Sequence, residues 1–410
     1  MDRALLDTIA ELYQLILDER KPADYVIARF LRARPLLGRT GRAVVVEAVY
    51  EALRRTLLYR RIISEQGLEP NARSIVFLTL LDTAKLQRME LFKLWPRTEA
   101  LWMERLAGYY DRARDFAFIA DETERLALRH SMPLWFTEEL LKSYSQDELE
   151  QLLSALNRPA QQTLRVNIYK ITPEKLAVRL RAEQIKTRVG RLAAAALIVE
   201  GHADLFRTEA FKEGFFELQD EASQRVSEIV DPKPGWKVLD ACAGAGGKSL
   251  HLGALMRGRG EVHAYDSDSK RLSKLPARVK RSGLQNIRVV TDLERFRERY
   301  NGKLDAVLID APCSGSGTLR RSPDIKLHLT PTLVEEMQGK QRKCLATYAP
   351  MLRRGGRLVY ATCSLLPAEN REVLEEFIAE HADFCLLECS EYYPHIHNSD
   401  GFFIALLERA

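Results

Sequence analysis

From Lys237 onward, short β-prone runs alternate with helical patterns, and this alternation restricts the fold more than any other feature of the chain. The candidate strands are 238–241, 261–266, 287–291, 306–310 and 357–362. Alternating strands and helices predict a parallel, doubly wound α/β sheet, because each parallel crossover needs a helix to return the chain. Open sheets of this kind bind ligands at the carboxyl ends of their strands. The residues just after each strand are therefore the first place to look for function.

The first such turn is VLDACAGAGGKS, 238–249. A strand ends in Asp240, and Gly244, Gly246 and Gly247 then let the backbone approach a ligand closely. The run is not the dinucleotide fingerprint G-x-G-x-x-G, since Ser249 takes the last position. It is not a phosphate-binding Walker loop either, because Cys242 stands where the first glycine is required. The next strand ends at Asp266, whose carboxylate could accept from ribose hydroxyls, with Asp268 as a competing choice. A third ends at Thr291–Asp292, where a carboxylate could accept from an amino group. Two further strands run into cysteines: LIDAPCSGSG carries Asp310 and Cys313, and LVYATCSLL carries Cys363. Buried cysteines usually act as small hydrophobes, a reading that suits Cys242 and Cys344. Polar, turn-like surroundings set Cys313 and Cys363 apart.

Upstream, residues 1–150 show apolar residues at helical spacing, as in Leu5, Ile9, Leu12 and Ile16, then Val45, Val49 and Leu53. Two basic clusters lie here: Arg29, Arg32, Arg34, Arg39 and Arg42, then Arg54, Arg55, Arg60 and Arg61. They read either as solvated helix faces or as a phosphate-binding surface. Residues 151–230 read as a small α+β module, with strands at 163–168 and 197–200 and a helix at 173–183 opened by a proline. Pro232, Pro234 and Gly235 then break the chain before the α/β region, 231–410. A net charge of +5 is compatible with a polyanion partner without requiring one. The six cysteines all follow residue 241, which is unlike a disulfide scaffold and fits a reducing cytoplasm. No apolar run approaches a membrane span, and the acidic N-terminus does not resemble a signal peptide. Cys385, Cys389, His395 and His397 form a C-x₃-C-x₅-H-x-H pattern conceivable as a zinc cluster; core cysteines and exposed histidines are the expected reading, and no metal is expected.

The stretches DPKPGWKVLDACAGAGGKS, DAPCSGSGTLRRSPD, ATCSLLPAENREV and SDGFFIALLER closely resemble the Sun/Fmu (RsmB-like) family of S-adenosylmethionine-dependent RNA cytosine-C5 methyltransferases. TLRVN and FELQDEASQ resemble the module preceding the catalytic domain in that family. KPADYVIARFL and AVVVEAVYEALRR look more loosely like a NusB-type RNA-binding domain. The resemblance implies a Rossmann-like methyltransferase domain, S-adenosylmethionine as cofactor and RNA as substrate, with 16S ribosomal RNA expected and transfer RNA as the alternative. A non-catalytic RNA-binding assembly factor is the reading from another class; retention of Asp310, Cys313 and Cys363 together argues against it. A monomer is favoured.

What the resemblance implies agrees with the chemistry. Carbon 5 of cytosine is a poor nucleophile, and a thiolate added at carbon 6 pushes electron density onto it. By resemblance, Cys363 attacks, and Cys313 assists proton removal and adduct release. Residue chemistry alone leaves Cys313 as a rival nucleophile. Lys248 is a candidate for lowering a thiol pKa, and Asp310 for handling the proton near N3. By resemblance, the turn of Cys242, Ala243, Gly244, Ala245, Gly246, Gly247 and Lys248 surrounds the methionine end of the cofactor, Asp266 and Asp292 contact its ribose and adenine, and Asp310 borders it. Arg320 and Arg321 are expected to meet RNA phosphate or the target nucleotide. Two departures are visible: Ala245 replaces a proline common in relatives, and Leu327 replaces a tryptophan, which weakens any stacking role there.

Overall fold

The computed structural model describes residues 2–83, 88–96, 99–113 and 116–410. The chain divides into two compact units, 1–158 with 319–329, and 159–318 with 330–410.

The first unit is helical. Its opening helix, Arg3–Glu19, starts where the Asp2 carboxylate accepts from the Leu5 backbone N–H at 2.9 Å, satisfying a donor the helix cannot. It buries Leu6, Ile9, Leu12, Tyr13 and Ile16 along one stripe. The 27-residue helix Arg39–Glu65 packs on it with Val45, Val49, Leu53 and Ile62. Helix Ala72–Asp82 begins with a reciprocal cap between Asn71 and Ser74.

Much of the basic cluster is engaged inside this unit. Arg29 pairs with Glu19, Arg34 with Glu11, and Arg61 with Glu65 and Glu124. Arg55 donates to the Arg129 carbonyl, and Arg54 is 5% exposed. Arg54 is buried, while Arg29, Arg34, Arg55 and Arg61 keep 35–42% of their side chains exposed beside their partners.

The segment 319–329 completes this unit, a placement the sequence did not announce. Arg320 is 4% exposed and its carbonyl accepts from Arg54 Nη2 at 2.8 Å. The sequence expectation that Arg320 meets RNA phosphate or the target nucleotide thus falls on a residue that the structure buries almost completely. Asp324 accepts from the Ala23 N–H at 3.2 Å. Lys326 is 1% exposed and donates to the Arg54 carbonyl at 3.0 Å and to Asn157 Oδ1 at 2.8 Å. Leu327 packs against the helical core, so an apolar contact takes the place of stacking.

The second unit holds two sheets. The smaller joins β1 (Thr163–Val166), β2 (Thr187–Val189), β3 (Ala196–Val199) and β4 (Phe216–Leu218) in the order β2-β3-β1-β4, all antiparallel. Helix Pro173–Ala182, capped by Thr172, lays Leu176 and Leu180 against Leu164, Val166, Leu197 and Phe216.

The larger sheet contains β5 (Lys237–Asp240), β6 (Glu261–Ala264), β7 (Ile287–Val289), β8 (Leu304–Asp310), β9 (Leu352–Thr362), β10 (Phe384–Tyr392) and β11 (Phe402–Arg409). The order is β10-β11-β9-β8-β5-β6-β7. Strands β5 to β9 pair in parallel, while β11 and β10 add an antiparallel hairpin at one edge. Alternate residues enter opposite cores: Val238, Ala306, Leu308, Val359 and Ala361 face one, and Leu239, Val307, Ile309, Leu358 and Tyr360 face the other. Helices Glu221–Val230 and Gly247–Leu255 contribute to the first core, and Pro331–Tyr348 and Arg371–Glu380 to the second. The fold is a doubly wound α/β domain preceded by a small α+β module and a helical N-terminal region.

Lys326→Ala should remove the donor to the Arg54 carbonyl and Asn157 Oδ1 and leave a void where a fully buried side chain stood, destabilising the helical unit by roughly 2–4 kcal/mol. Urea unfolding followed by circular dichroism measures this; an unchanged midpoint would show that the buried lysine contributes nothing to stability.

Candidate active site

The parallel pairing of β8 with β9 sets the centre of the site. Asp310 stands opposite Ala361, and the Ala311 N–H donates to the Ala361 carbonyl at 2.8 Å. Both strands then turn, and the turns carry Cys313 and Cys363 to a sulfur–sulfur separation of 3.4 Å. Both cysteines are half-buried and free. The neighbouring Cys363 sulfur, burial and the charge of Glu369 together push the Cys313 thiol up from its ordinary range.

Asp310 is held by Lys248, whose Nζ lies 2.7 Å from Oδ2 and 5.4 Å from the centre of the Phe402 ring. Lys248 opens the Gly247–Leu255 helix and is 8% exposed. The sequence reading offered Lys248 as the cation beside a thiol; the structure pairs it with the carboxylate of Asp310.

The glycine turn follows β5. The Ala243 N–H donates to the Tyr265 carbonyl at 2.8 Å, and the Gly244 N–H to Asp266 Oδ2 at 2.7 Å. Gly246 has φ +81°, and a Cβ there would meet Leu275 Cδ1 at 2.2 Å, so the position requires glycine on both counts. The other oxygen of Asp266 accepts from the Asp268 N–H at 2.8 Å, and Asp268 itself caps the Ser269–Leu272 helix. Asp292 caps the Leu293–Tyr300 helix, accepting from the Arg295 N–H at 3.0 Å, and is exposed. Asp240 is fully buried and accepts from Ser249 Oγ at 2.6 Å. Burial, opposed by that hydrogen bond and reinforced by Asp310, pushes its carboxyl up to about 7. Cys242 lies 3.9 Å from Cys344, and that contact, with burial, pushes its thiol well up.

Apart from the buried Asp240, the carboxyl edge of the sheet thus presents the partly exposed Asp266 and Asp310, with the exposed Asp292 beyond β7. Carboxylates are hydrogen-bond acceptors with several lone pairs each. Such a set fits a cationic ligand bearing hydroxyl and amino donors.

Residues 227–408 match the family model for the 16S rRNA methyltransferase RsmB/F, and residues 132–205 match the ferredoxin-like domain of RsmF/B-like methyltransferases. A probable ribosomal RNA small subunit methyltransferase B from Bacillus subtilis is 35% identical over 314 residues, covering 72% of this chain and 70% of the relative. The chain belongs to the RsmB/F methyltransferase family. The crystal structure of PH0851 is 27% identical with a TM-score of 0.82, covering all of this chain and 99% of that one. NSun6 from Pyrococcus horikoshii, solved with SFG, shares the fold at 22% identity and a TM-score of 0.61, covering 71% of this chain and 98% of that one.

Within this RsmB/F chain the structure brings Asp310, Cys313, Cys363 and Lys248 together, with the 242–248 turn and Asp266 along the same strand ends. Asp292 stands farther along the edge with one carboxylate oxygen already engaged. Sequence reasoning missed Glu369, a buried carboxylate that receives hydrogen bonds from both cysteine-bearing turns. It lies inside the family-like stretch ATCSLLPAENREV, but nothing in its spacing marked it. Cys385 and Cys389 lie exposed on β10, and among the described residues no group of three or more His, Cys, Asp or Glu could hold a metal ion.

Asp240 generates a pH prediction. Its folded pKa, about 7, exceeds the ordinary value of 3.8. Between those values the folded state keeps a proton the unfolded state has lost, so this group makes stability fall as pH rises from 4 to 7. Asp240→Asn should flatten that fall while still accepting from Ser249. Urea midpoints at several pH values measure it; parallel slopes in the two proteins would refute the assignment.

Proposed function

We propose that the chain transfers a methyl group from S-adenosylmethionine to carbon 5 of a cytosine in RNA, through a covalent bond between Cys363 and carbon 6. The observation that carries this reading is the 3.4 Å approach of two free thiols beside the Asp310–Lys248 pair. S-adenosylmethionine supplies an electrophilic methyl group when bound. Its ribose hydroxyls, amino group and positive sulfonium suit the acceptor-rich strand ends, with the 242–248 turn and Asp266 holding it, Asp292 contributing at the adenine end and Asp310 bordering it. The archaeal neighbour solved with SFG, an analogue of this cofactor, supports the choice.

The two thiols are suited to different tasks. A thiolate attacks, whereas a thiol that keeps its proton does so poorly. Cys313, faced by Glu369 and by the other sulfur, holds its proton more tightly than a free cysteine. The family resemblance of the TCS motif makes Cys363 the attacking group in this reading, with Cys313 as the rival. As its sulfur bonds to carbon 6, electron density moves through the ring and Asp310, steadied by Lys248, shares the proton near N3. Carbon 5 would then take the methyl group, the methyl–sulfur bond of the sulfonium breaking with its electron pair to leave a neutral thioether product. Loss of the carbon 5 proton, assisted by Cys313, re-forms the double bond and expels the Cys363 thiolate.

Names of the relatives support a small-subunit ribosomal RNA as substrate. The helical unit is read as an RNA-binding domain of NusB type, the 151–230 region as a connecting module and 231–410 as the catalytic domain. The reacting base must leave its stack, so a loop, single strand or flipped nucleotide is expected. Among the described residues no helix is long and apolar enough to cross a membrane.

Cys363→Ser should abolish formation of 5-methylcytidine in 16S RNA, read by nucleoside mass spectrometry and bisulfite sequencing. Cys313→Ser should accumulate a protein–RNA adduct that survives denaturing electrophoresis. If Cys363→Ser traps the adduct and Cys313→Ser prevents it, the two roles are reversed.

A further inference from the structure

Each cysteine of the pair is followed by a serine, and both serines reach one buried carboxylate. Glu369 lies in the Pro367–Glu369 turn and is 0% exposed. Its Oε1 accepts from the Ser314 backbone N–H at 2.7 Å and from Gln341 Nε2 at 3.2 Å. Its Oε2 accepts from the hydroxyls of Ser314 and Ser364, the latter at 2.5 Å. Four donors from three separate chain segments thus converge on one acceptor-only group. Gln341 also donates to the Pro312 carbonyl at 2.9 Å, immediately before Cys313. Ser316 Oγ lies 3.1 Å from Ser364 Oγ and accepts from the Leu365 N–H at 2.9 Å. The Gly317 N–H donates to the Cys363 carbonyl at 2.9 Å.

We propose that Glu369 is a positioning residue that clasps the Cys313–Ser314 and Cys363–Ser364 turns to one point and so fixes the spacing of the two sulfurs. The proposal rests on the two-thiol reading of the reaction and deepens it. Strand pairing delivers the turns to the same edge, but the turns extend past the last paired residues. Hydrogen bonds to an ionised acceptor are shorter and roughly twice as strong as neutral ones, so a shared carboxylate is well suited to hold them. The same charge faces the Cys313 sulfur and helps keep that thiol protonated.

Glu369→Gln in the full-length chain tests the clasp. The amide keeps the size but removes the charge and turns one acceptor into a donor facing donors. Two readouts separate positioning from mere structural support. The first is the pH dependence of alkylation of Cys313 by iodoacetamide, resolved by peptide mass spectrometry, with exposed Cys385 and Cys389 as internal references. It needs no RNA. The Cys313 profile should move to lower pH in the variant, while the reference cysteines stay in place. The second is methyl transfer, where kcat should fall on the order of 100-fold, as expected for a misplacement of about 1 Å, with KM for S-adenosylmethionine little changed. Glu369→Asp should recover part of the lost kcat. Should Glu369→Gln fail to fold, Ser364→Ala removes a single donor and should show the same kcat loss in milder form. An unmoved Cys313 profile together with an unchanged kcat overturns the proposal. So does a loss of activity that only tracks loss of folded protein. Wild-type protein that makes no 5-methylcytidine would sink the reading of the reaction, while the alkylation profile would still decide the clasp.

Discussion

The site depends on the register of two neighbouring parallel strands. β8 and β9 are buried on both faces, and their alternate side chains enter two different cores. Slipping one strand by a single residue would send Val307 and Ile309 to the face now filled by Ala306 and Leu308. The apolar packing therefore fixes which residue of β8 meets which residue of β9. With Asp310 opposite Ala361, the two turns start level, and the thiols two and three residues further on arrive together. The proximity of two residues fifty positions apart follows from a pattern of valine, leucine and isoleucine that has no chemistry of its own.

That register also concentrates acids. Parallel strands end on one side, so Asp240 and Asp310 fall on neighbouring strand ends with Asp266 just beyond the next. Like charges at such spacing disfavour simultaneous ionisation. The structure resolves this in two ways. Asp310 takes Lys248 as counter-charge, and Asp240, out of reach of water, holds its proton with a pKa near 7. The cation spent on Asp310 is the one the sequence had offered to the cysteines. The Cys313 thiol is raised instead by its contact with the Cys363 sulfur, by burial and by the charge of Glu369.

Legibility in the sequence followed periodicity. Strands β5 to β9 were readable because each is a short apolar run ending in a polar turn, and the register-defining residues are those runs. The edge hairpin was harder. β10 carries Leu386 and Leu387 exposed beside Cys385 and Glu388, with a register shift between Leu386 and Glu388, so it lacks clean alternation. The strand-end residues were legible because their position is itself a rule of the fold. Arg320, Lys326 and Glu369 were not. Charged residues are almost never buried unless paired, so each reads as surface in a sequence. Their partners lie far along the chain: Arg54 for Lys326, and Ser314 for Glu369.

The unreadable residues share a physical role. Hydrophobic packing tolerates many side chains at one place, whereas a buried polar group is costly unless its partners arrive with good geometry. Such a group penalises every arrangement but one. Lys326 does this for the 319–329 segment, requiring the carbonyl of one helix and the amide oxygen near the end of another. Glu369 does it for the cysteine turns, where no strand pairing remains to hold them. The apolar pattern brings segments to within a few ångströms of their places, and the buried polar groups select the final conformation. A reaction that needs two sulfurs over one pyrimidine ring demands the second kind of precision. The residue that supplies it is therefore found one hydrogen bond behind the cysteines, at the point where both turns meet.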